Sequence, residues 1–307
     1  MKFLWSIICL VALVFVFESC TPEDEVTLPK ATALYFSDYS GKKLGVIDLN
    51  NINTFSTIAD ASDGLDTIAG IAIDFAGGKI YAAEEMNNRI VRFNLDGSGE
   101  LDVVYEMQGD DSLVVEPTAL ALDIENEDVF WANSGTGQIR KGRMDGARNV
   151  YVMHDSLEVL TYCYGMIFDA ESDQLFFTDF GRYAAIYSSD IDVEHDRRPS
   201  PIIGISFALQ NPSQLYFDKR TQNMYWADET LGTLAVSNGN AVQAIYDDED
   251  GIDRPAGIAV DTGSKKIYWT EPANKVIKRA NLDGTGEIET VLTGVESYSI
   301  ILKFDNQ

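Results

Sequence analysis

Five times along this chain of 307 residues, an Asp closing a short apolar run is followed seven residues later by a Tyr or Phe that opens an aromatic tetrapeptide. The pairs are Asp74 and Tyr81, Asp123 and Phe130, Asp169 and Phe176, Asp218 and Tyr225, and Asp261 and Tyr268. The runs read GIAID, ALALD, GMIFD, QLYFD and GIAVD; the tetrapeptides read YAAE, FWAN, FFTD, YWAD and YWTE. A sixth tetrapeptide, Tyr35 to Asp38, has no run before it, and a sixth run, ending at Asp305, has no tetrapeptide after it. Self-similarity with a period of about 40 to 50 residues marks an array or a closed ring of β-blades. The length would ordinarily suggest two domains, but the unbroken repeat predicts one.

Each repeat divides into four short strands. The apolar run is the first and the tetrapeptide lies in the second. Stretches such as RIVRFNL and VIKRANL form the third, and DVVYEM or AVQAIY the fourth. Asp96-Gly97, Asp145-Gly146, Asn238-Gly239 and Asp283-Gly284 separate third from fourth, and such dipeptides favour the positive φ of tight turns. The fourth repeat has a longer connection there, from Asp190 to Pro201. The first-strand runs are apolar on both faces and rich in small residues, among them Gly70, Ala72, Ala121, Gly165 and Ala259. Sheets stacked between neighbours bury both faces, and blades converging on an axis leave room there only for small side chains. Residues 298 to 305 then supply the missing inner strand beside Leu34 to Asp38 and close the circle. The expected fold is all-β, a six-bladed β-propeller of four-stranded blades over residues 31–307.

YWTE with VIKRANLDGTG, and YAAE with RIVRFNLDGSG, resemble the YWTD repeat, also called the low-density-lipoprotein receptor class B repeat. PAGIAVD before YWTE matches the inner strand of that repeat, and the resemblance extends through all six units. It implies a propeller in which the tetrapeptide is structural and one face binds proteins or small ligands without catalysis. Only one tetrapeptide ends in the full TD pair, Asn133 replaces the acid once, and Glu84 and Glu271 replace it with a longer one.

Acidic residues outnumber basic ones by 49 to 23, a net charge of −26. Nucleic acid and anionic lipid surfaces require cationic patches, so neither is an expected partner. The N-terminus is a separate matter. Lys2 precedes an apolar run from Phe3 to Phe17, short for a bilayer span and fitting a signal-peptide core. Ser19 before Cys20 resembles the cleavage and lipidation site of bacterial lipoproteins, although Phe17 and Glu18 depart from its pattern. That resemblance implies a signal peptide over residues 1–19, a lipid on Cys20 and a linker over residues 20–30. The acidic stretch from Thr21 to Glu25 resembles the tag that sends some Gram-negative lipoproteins to the outer face of the outer membrane. The expected location is therefore the cell envelope, at the outer membrane and its surface, with the membrane touched only through the anchor. Cys163 remains as the one cysteine of the folded domain, expected to be a buried, unreactive thiol.

In a propeller the starts of the inner strands, the ends of the second strands and the links between blades share one face. Seven residues before each terminal Asp stand Thr67, Glu116, Tyr162, Asn211, Arg254 and Tyr298. Six-fold geometry sets them around the mouth of the central channel. A set that is polar, aromatic and different in every blade suits an asymmetric ligand, with Tyr to stack and Arg, Glu and Asn to orient it. Solvent exposure alone would also permit such variety. The same face collects Asp60, Asp63, Asp110, Asp111, Asp155, Glu158 and the run Asp247 to Asp250 from the loops. The tetrapeptide ends add Asp38, Glu84, Asp179, Asp228 and Glu271, while His195, Arg197 and Arg198 fall on the opposite face. Such asymmetry steers a cationic partner, although Asp also stabilises tight loops through its own backbone contacts. No cofactor is expected; calcium is a weak alternative where carboxylates cluster, since no stretch matches a helix-loop-helix calcium loop and Asp247 to Asp250 alone would hold it poorly.

Two function classes follow. The first, and the expected one, is a non-catalytic, ligand- or protein-binding module whose partner is a protein, peptide or glycan. A closed ring without a free sheet edge has no need to dimerise, so a monomer is expected. The alternative is a metal-dependent, gluconolactonase-like hydrolase, a class that shares the six-bladed architecture and holds a divalent metal on the axis. Glu116 before Pro117 and Asn211 before Pro212 sit at suitable rim positions, but the ring offers no third oxygen ligand and Arg254 would oppose a metal. His154 and His195 both fall in outer segments, and neither GxSxG nor HExxH occurs.

Overall fold

The structure is a computed structural model that describes residues 28–109, 113–147, 149–154, 161–181, 184–191, 199–204 and 209–305. The leader, Cys20, most of the linker, Asp110, Asp111, Asp155, Glu158 and the cluster His195, Arg197 and Arg198 lie outside the described residues.

Six four-stranded antiparallel sheets form, each running outward from an inner strand. Blade 1 is composite: Ile300–Phe304 is its inner strand, followed outward by Ala31–Asp38, Lys43–Asp48 and Ser56–Ala59. The inner strands of blades 2 to 6 are Ile68–Asp74, Pro117–Asp123, Met166–Asp169, Pro212–Asp218 and Ile258–Asp261. Their second strands are Lys79–Glu84, Asp128–Asn133, Gln174–Asp179, Asn223–Asp228 and Lys266–Glu271. The expected all-β, six-bladed propeller is the observed fold.

The repeat owes its spacing to a turn. The run-ending Asp caps the link to the second strand: Asp74 Oδ1 accepts from the Gly77 N–H (2.7 Å), Asp123 from Asn126 (3.1 Å) and Asp261 from Ser264 (2.9 Å) in blades 2, 3 and 6. Asp does this because its short side chain reaches backbone groups two or three residues on. The turn then sets the tetrapeptide's first aromatic opposite the residue two before the Asp, as in Ala72↔Tyr81, Ala121↔Phe130 and Ala259↔Tyr268. Small inner residues face bulky outer ones, which is the taper that convergence on an axis demands. A Cβ on Gly70 would lie 2.4 Å from the Thr118 carbonyl oxygen, so the inner strands of blades 2 and 3 pass at backbone distance. Between blades, Trp131, Trp226 and Trp269 are fully buried. Cys163 is buried as expected, and burial pushes its thiol well up from the ordinary range.

Ring closure uses a shorter strand than residues 298–305. Ile300 pairs with Phe36 and Phe304 with Ala31, while the Ser37 N–H donates to the Ser299 carbonyl at 3.2 Å. The Ala31 N–H donates to Asp261 Oδ2 at 3.0 Å, so blade 6 also holds the incoming strand of blade 1.

Candidate binding site at the channel mouth

The acids that end the tetrapeptides are not surface charge. Glu84, Asp179, Asp228 and Glu271 are 0% exposed and Asp38 is 4% exposed. They hold the loops between blades. Asp179 Oδ1 accepts from the N–H groups of Thr161 and Tyr162, both at 2.8 Å, and Glu84 Oε1 from that of Asp66 at 2.7 Å. Asp228 accepts from the N–H groups of Gln210 (2.7 Å), Asn211 (3.1 Å) and Leu231 (3.0 Å). Even Asn133, where the acid is missing, keeps the bond, taking the Val115 N–H at 3.1 Å. Burial raises the Asp179 carboxyl above its ordinary range, against the pull of its three N–H donors. These residues therefore leave the partner-facing charge expected of this face and become the scaffold that positions its rim.

The rim set is joined by a second ring that the tetrapeptide strands deliver, one residue further on. Backbone bonds couple the two: the Glu85 N–H donates to Thr67 (3.2 Å), Ser134 to Glu116 (3.0 Å), Phe180 to Tyr162 (3.2 Å) and Glu229 to Asn211 (3.0 Å). Side chains follow the same pairing. Tyr162 stacks on Phe180 with ring centroids 4.9 Å apart, and Asn211 Nδ2 donates to Glu229 Oε2 at 3.0 Å. Tyr298 meets Tyr39 edge-on at 5.5 Å, and Tyr39 Oη crosses to blade 2 to donate to Glu85 Oε2 at 3.0 Å. Tyr164 also stacks on Phe180, at 5.5 Å, and lines the channel. Burial raises its hydroxyl first, and the fields of Glu85, Tyr298, Glu229 and Tyr162 add to the shift, so residues from blades 1, 2, 4 and 5 converge on it. Burial likewise raises Tyr298, and Tyr39 is pushed up to about 12 by burial and by Glu85.

Beneath this mouth the channel is crossed by one side chain. Gln214 Oε1 accepts from the N–H groups of Ile258 (3.0 Å) and Ile300 (3.1 Å), while Nε2 donates to Ser299 Oγ (3.2 Å) and the Ile300 carbonyl (3.1 Å). Ser299 Oγ in turn accepts from the Ile71 N–H at 3.3 Å. Gln214 thus links blades 5, 6 and 1, and Ser299 carries the link to blade 2. From Tyr164 and Gln214 a cavity of about 380 Å³ extends toward the Asp-turn end, where Ile73, Phe75, Leu122, Ile124, Phe217 and Phe304 line it.

Of the residues singled out from spacing, Thr67, Glu116, Tyr162, Asn211 and Tyr298 contact the second ring. Glu116 and Arg254 lie at the margin of the mouth, both exposed and both with positive φ, 47° and 45°. The Glu116 carboxyl sits against Gly135, whereas the Asn211 carboxamide is engaged by Glu229, so the pair proposed for a hydrolytic metal is not assembled. Among the described residues no three or more His, Cys, Asp or Glu side chains cluster in a way that would hold a metal ion. His154 lies on the outer strand of blade 3, its Nε2 2.7 Å from Ser189 Oγ, and burial lowers it to about 4. Spacing alone missed Tyr39, Glu85, Phe180 and Glu229. Their signal was available: each directly follows a tetrapeptide.

The fold and this mouth place the chain among six-bladed β-propellers. No protein-family model matches it. Its curated relatives include the proteins named cueball of Drosophila grimshawi, 28% identical over 182 residues, and of Drosophila yakuba, 21% identical over 218. These alignments cover 55% and 66% of this chain but only 28% and 32% of the relatives, so the chain spans about a third of their length or less. A chain in a crystal structure of a nidogen/laminin complex superposes with a TM-score of 0.73 at 20% identity, covering 88% of this chain and 97% of that one. A streptogramin B lyase structure superposes with a TM-score of 0.60 at 15% identity, covering 90% and 94%. At these identities the structural likeness concerns the fold alone. The relatives correct one expectation: being Drosophila proteins, they indicate a eukaryotic protein and not a bacterial outer-membrane lipoprotein.

Proposed function

We propose that this chain is a non-catalytic propeller that binds a protein or peptide at the acidic, aromatic mouth of its channel. One observation carries the reading: Tyr39, Glu85, Tyr164, Phe180, Glu229 and Tyr298, from four blades, meet above a channel crossed by Gln214. Half-buried rings flanked by a few polar groups offer both contact area and orientation, the composition of binding hot spots. The nidogen/laminin structure, a protein–protein complex in which a chain shares this fold, supports a protein partner. The lyase likeness extends to fold only, and among the described residues His154, on an outer strand, is the one histidine.

Selection of a random heptapeptide display library on the purified protein tests the reading. Selected peptides should lose binding to Tyr162→Ala and Tyr298→Ala while both variants keep the wild-type melting temperature. Peptides that bind all three proteins equally would place the partner surface elsewhere.

A further inference from the structure

We infer that the partner presents a cationic side chain, a lysine or an arginine, which enters between the tyrosine rings of the mouth and meets Glu85 and Glu229. The inference rests on the binding reading above and specifies its chemistry. Among the described residues, cations of this face are already engaged: Lys42 with Asp66 (2.7 Å), Arg89 with Glu84, Lys275 with Glu296 (3.7 Å) and Arg254 with Asp253 (3.8 Å). Glu85 and Glu229 instead receive neutral donors, Tyr39 Oη and Asn211 Nδ2, and among the described residues neither has an ion-pair partner. A carboxylate offers about four acceptor sites, so both retain capacity.

Asn211 supplies an independent indication. Glu229 can only accept, so Nδ2 must face it, and this leaves Oδ1 buried without a donor. Such an acceptor calls for an N–H, and lysine and arginine side chains are donors without acceptors. The surrounding rings of Tyr39, Tyr164 and Tyr298 add the negative π-faces that attract a cation. Burial raises all three hydroxyls, which keeps the rings neutral and leaves the charge on the carboxylates. An anionic side chain would meet two carboxylates, and an apolar one would leave their acceptor sites and Asn211 Oδ1 without donors. Exposed Asp63 and Asp248 to Asp250 on the same face, within a chain of net charge −26, would speed the approach of a basic partner.

The test uses two probes. N-acetyl-arginine amide is titrated into protein with isotope-labelled tyrosine and followed by the ring resonances, with N-acetyl-glutamate amide as control. The heptapeptides selected on the protein are scored for lysine and arginine. The arginine probe should shift tyrosine signals while the glutamate probe does not, and Glu85→Gln with Glu229→Gln should weaken it about tenfold, the loss expected when a charged acceptor is made neutral. Selected peptides should carry a basic residue whose change to Gln weakens them similarly. Selected peptides that depend on Tyr298 but lack a basic residue, with no response to the arginine probe, would overturn the cation inference and leave the binding mouth standing. Peptides indifferent to Tyr162 and Tyr298 would remove both. Arginine binding unchanged in the Gln variants would assign the effect to diffuse surface charge and overturn the inference as well.

Discussion

The two ends of the channel are built from the same six inner strands and differ in almost every chemical respect. At the end where inner strands begin, tyrosines and carboxylates that receive neutral donors converge; at the end where they finish, Phe75, Ile124 and Phe304 form an apolar opening. The difference comes from what each end must solve. The Asp-turn end closes identical tight turns, and its one repeated polar residue is consumed in capping them. The other end must join neighbouring blades, and there too a repeated acid is consumed, buried under the linking loop. What remains free at that end is the next residue along the chain, which no turn requires and which therefore varies from blade to blade. Periodic positions build the ring, and their aperiodic neighbours carry the individuality.

The contrast can be broken first at its divider. Gln214→Leu removes four hydrogen bonds where blades 5, 6 and 1 meet, and leaves buried donors and acceptors unpaired. A loss of about 3 to 4 kcal/mol is expected in urea denaturation, discounted from the full sum because the site is half-buried. A loss below about 1 kcal/mol would mean that water replaces the bridge and the two ends form one continuous channel.

Next come two aspartates at opposite ends of blade 5. Asp228→Ala strips three backbone N–H groups of their acceptor at a fully buried site and should cost about 3 kcal/mol. Asp218→Ala removes the turn bonds from the Arg220 N–H and the Thr221 hydroxyl and should cost about 1 kcal/mol. Equal losses would show that linking loops and turns are equally demanding.

Tyr39→Phe should cost about 1 kcal/mol near neutral pH by deleting the bond to Glu85. The Tyr39 hydroxyl is held up at about 12, above the value near 10 at which it ionises in an unfolded chain. The stability it adds is therefore complete below pH 10 and is lost as the pH rises from 10 toward 12. The gap between wild type and Tyr39→Phe should narrow across that window, and Glu85→Gln should move the ultraviolet titration of Tyr39 back toward 10. The smallest effect is expected at Glu229→Gln, within about 0.5 kcal/mol of wild type, beside the large loss at adjacent Asp228. A comparable loss at both would make Glu229 part of the scaffold.

Much of this was legible in the chain. The interval from Asp to aromatic fixed strand, turn and strand, and the orphan tetrapeptide and orphan run announced the closing sheet. Counting back from the run-ending Asp found Thr67, Tyr162, Asn211 and Tyr298, because a repeated frame makes equal offsets equivalent in space. The error lay with the acids. Glu84 and Glu85, or Asp228 and Glu229, read as two equal charges, yet the first of each pair ends a buried second strand and the other stands just beyond it, so one is buried and the other is half-buried at the mouth. Gln214 gave no warning, since a lone polar residue in QLYFD looks like a departure from the repeat.

The sequence by itself determined the ring, its number of blades and the place where it closes, because those follow from local turn chemistry repeated at a fixed period. Only the tertiary structure decided which acids are spent inside, that Tyr39 of one blade reaches Glu85 of the next, and that Gln214 divides the channel. Contacts across the axis join residues as remote in sequence as Ile71 and Ser299, which are 228 positions apart, and no local pattern encodes them. They arise only when six separately specified blades are brought onto one axis.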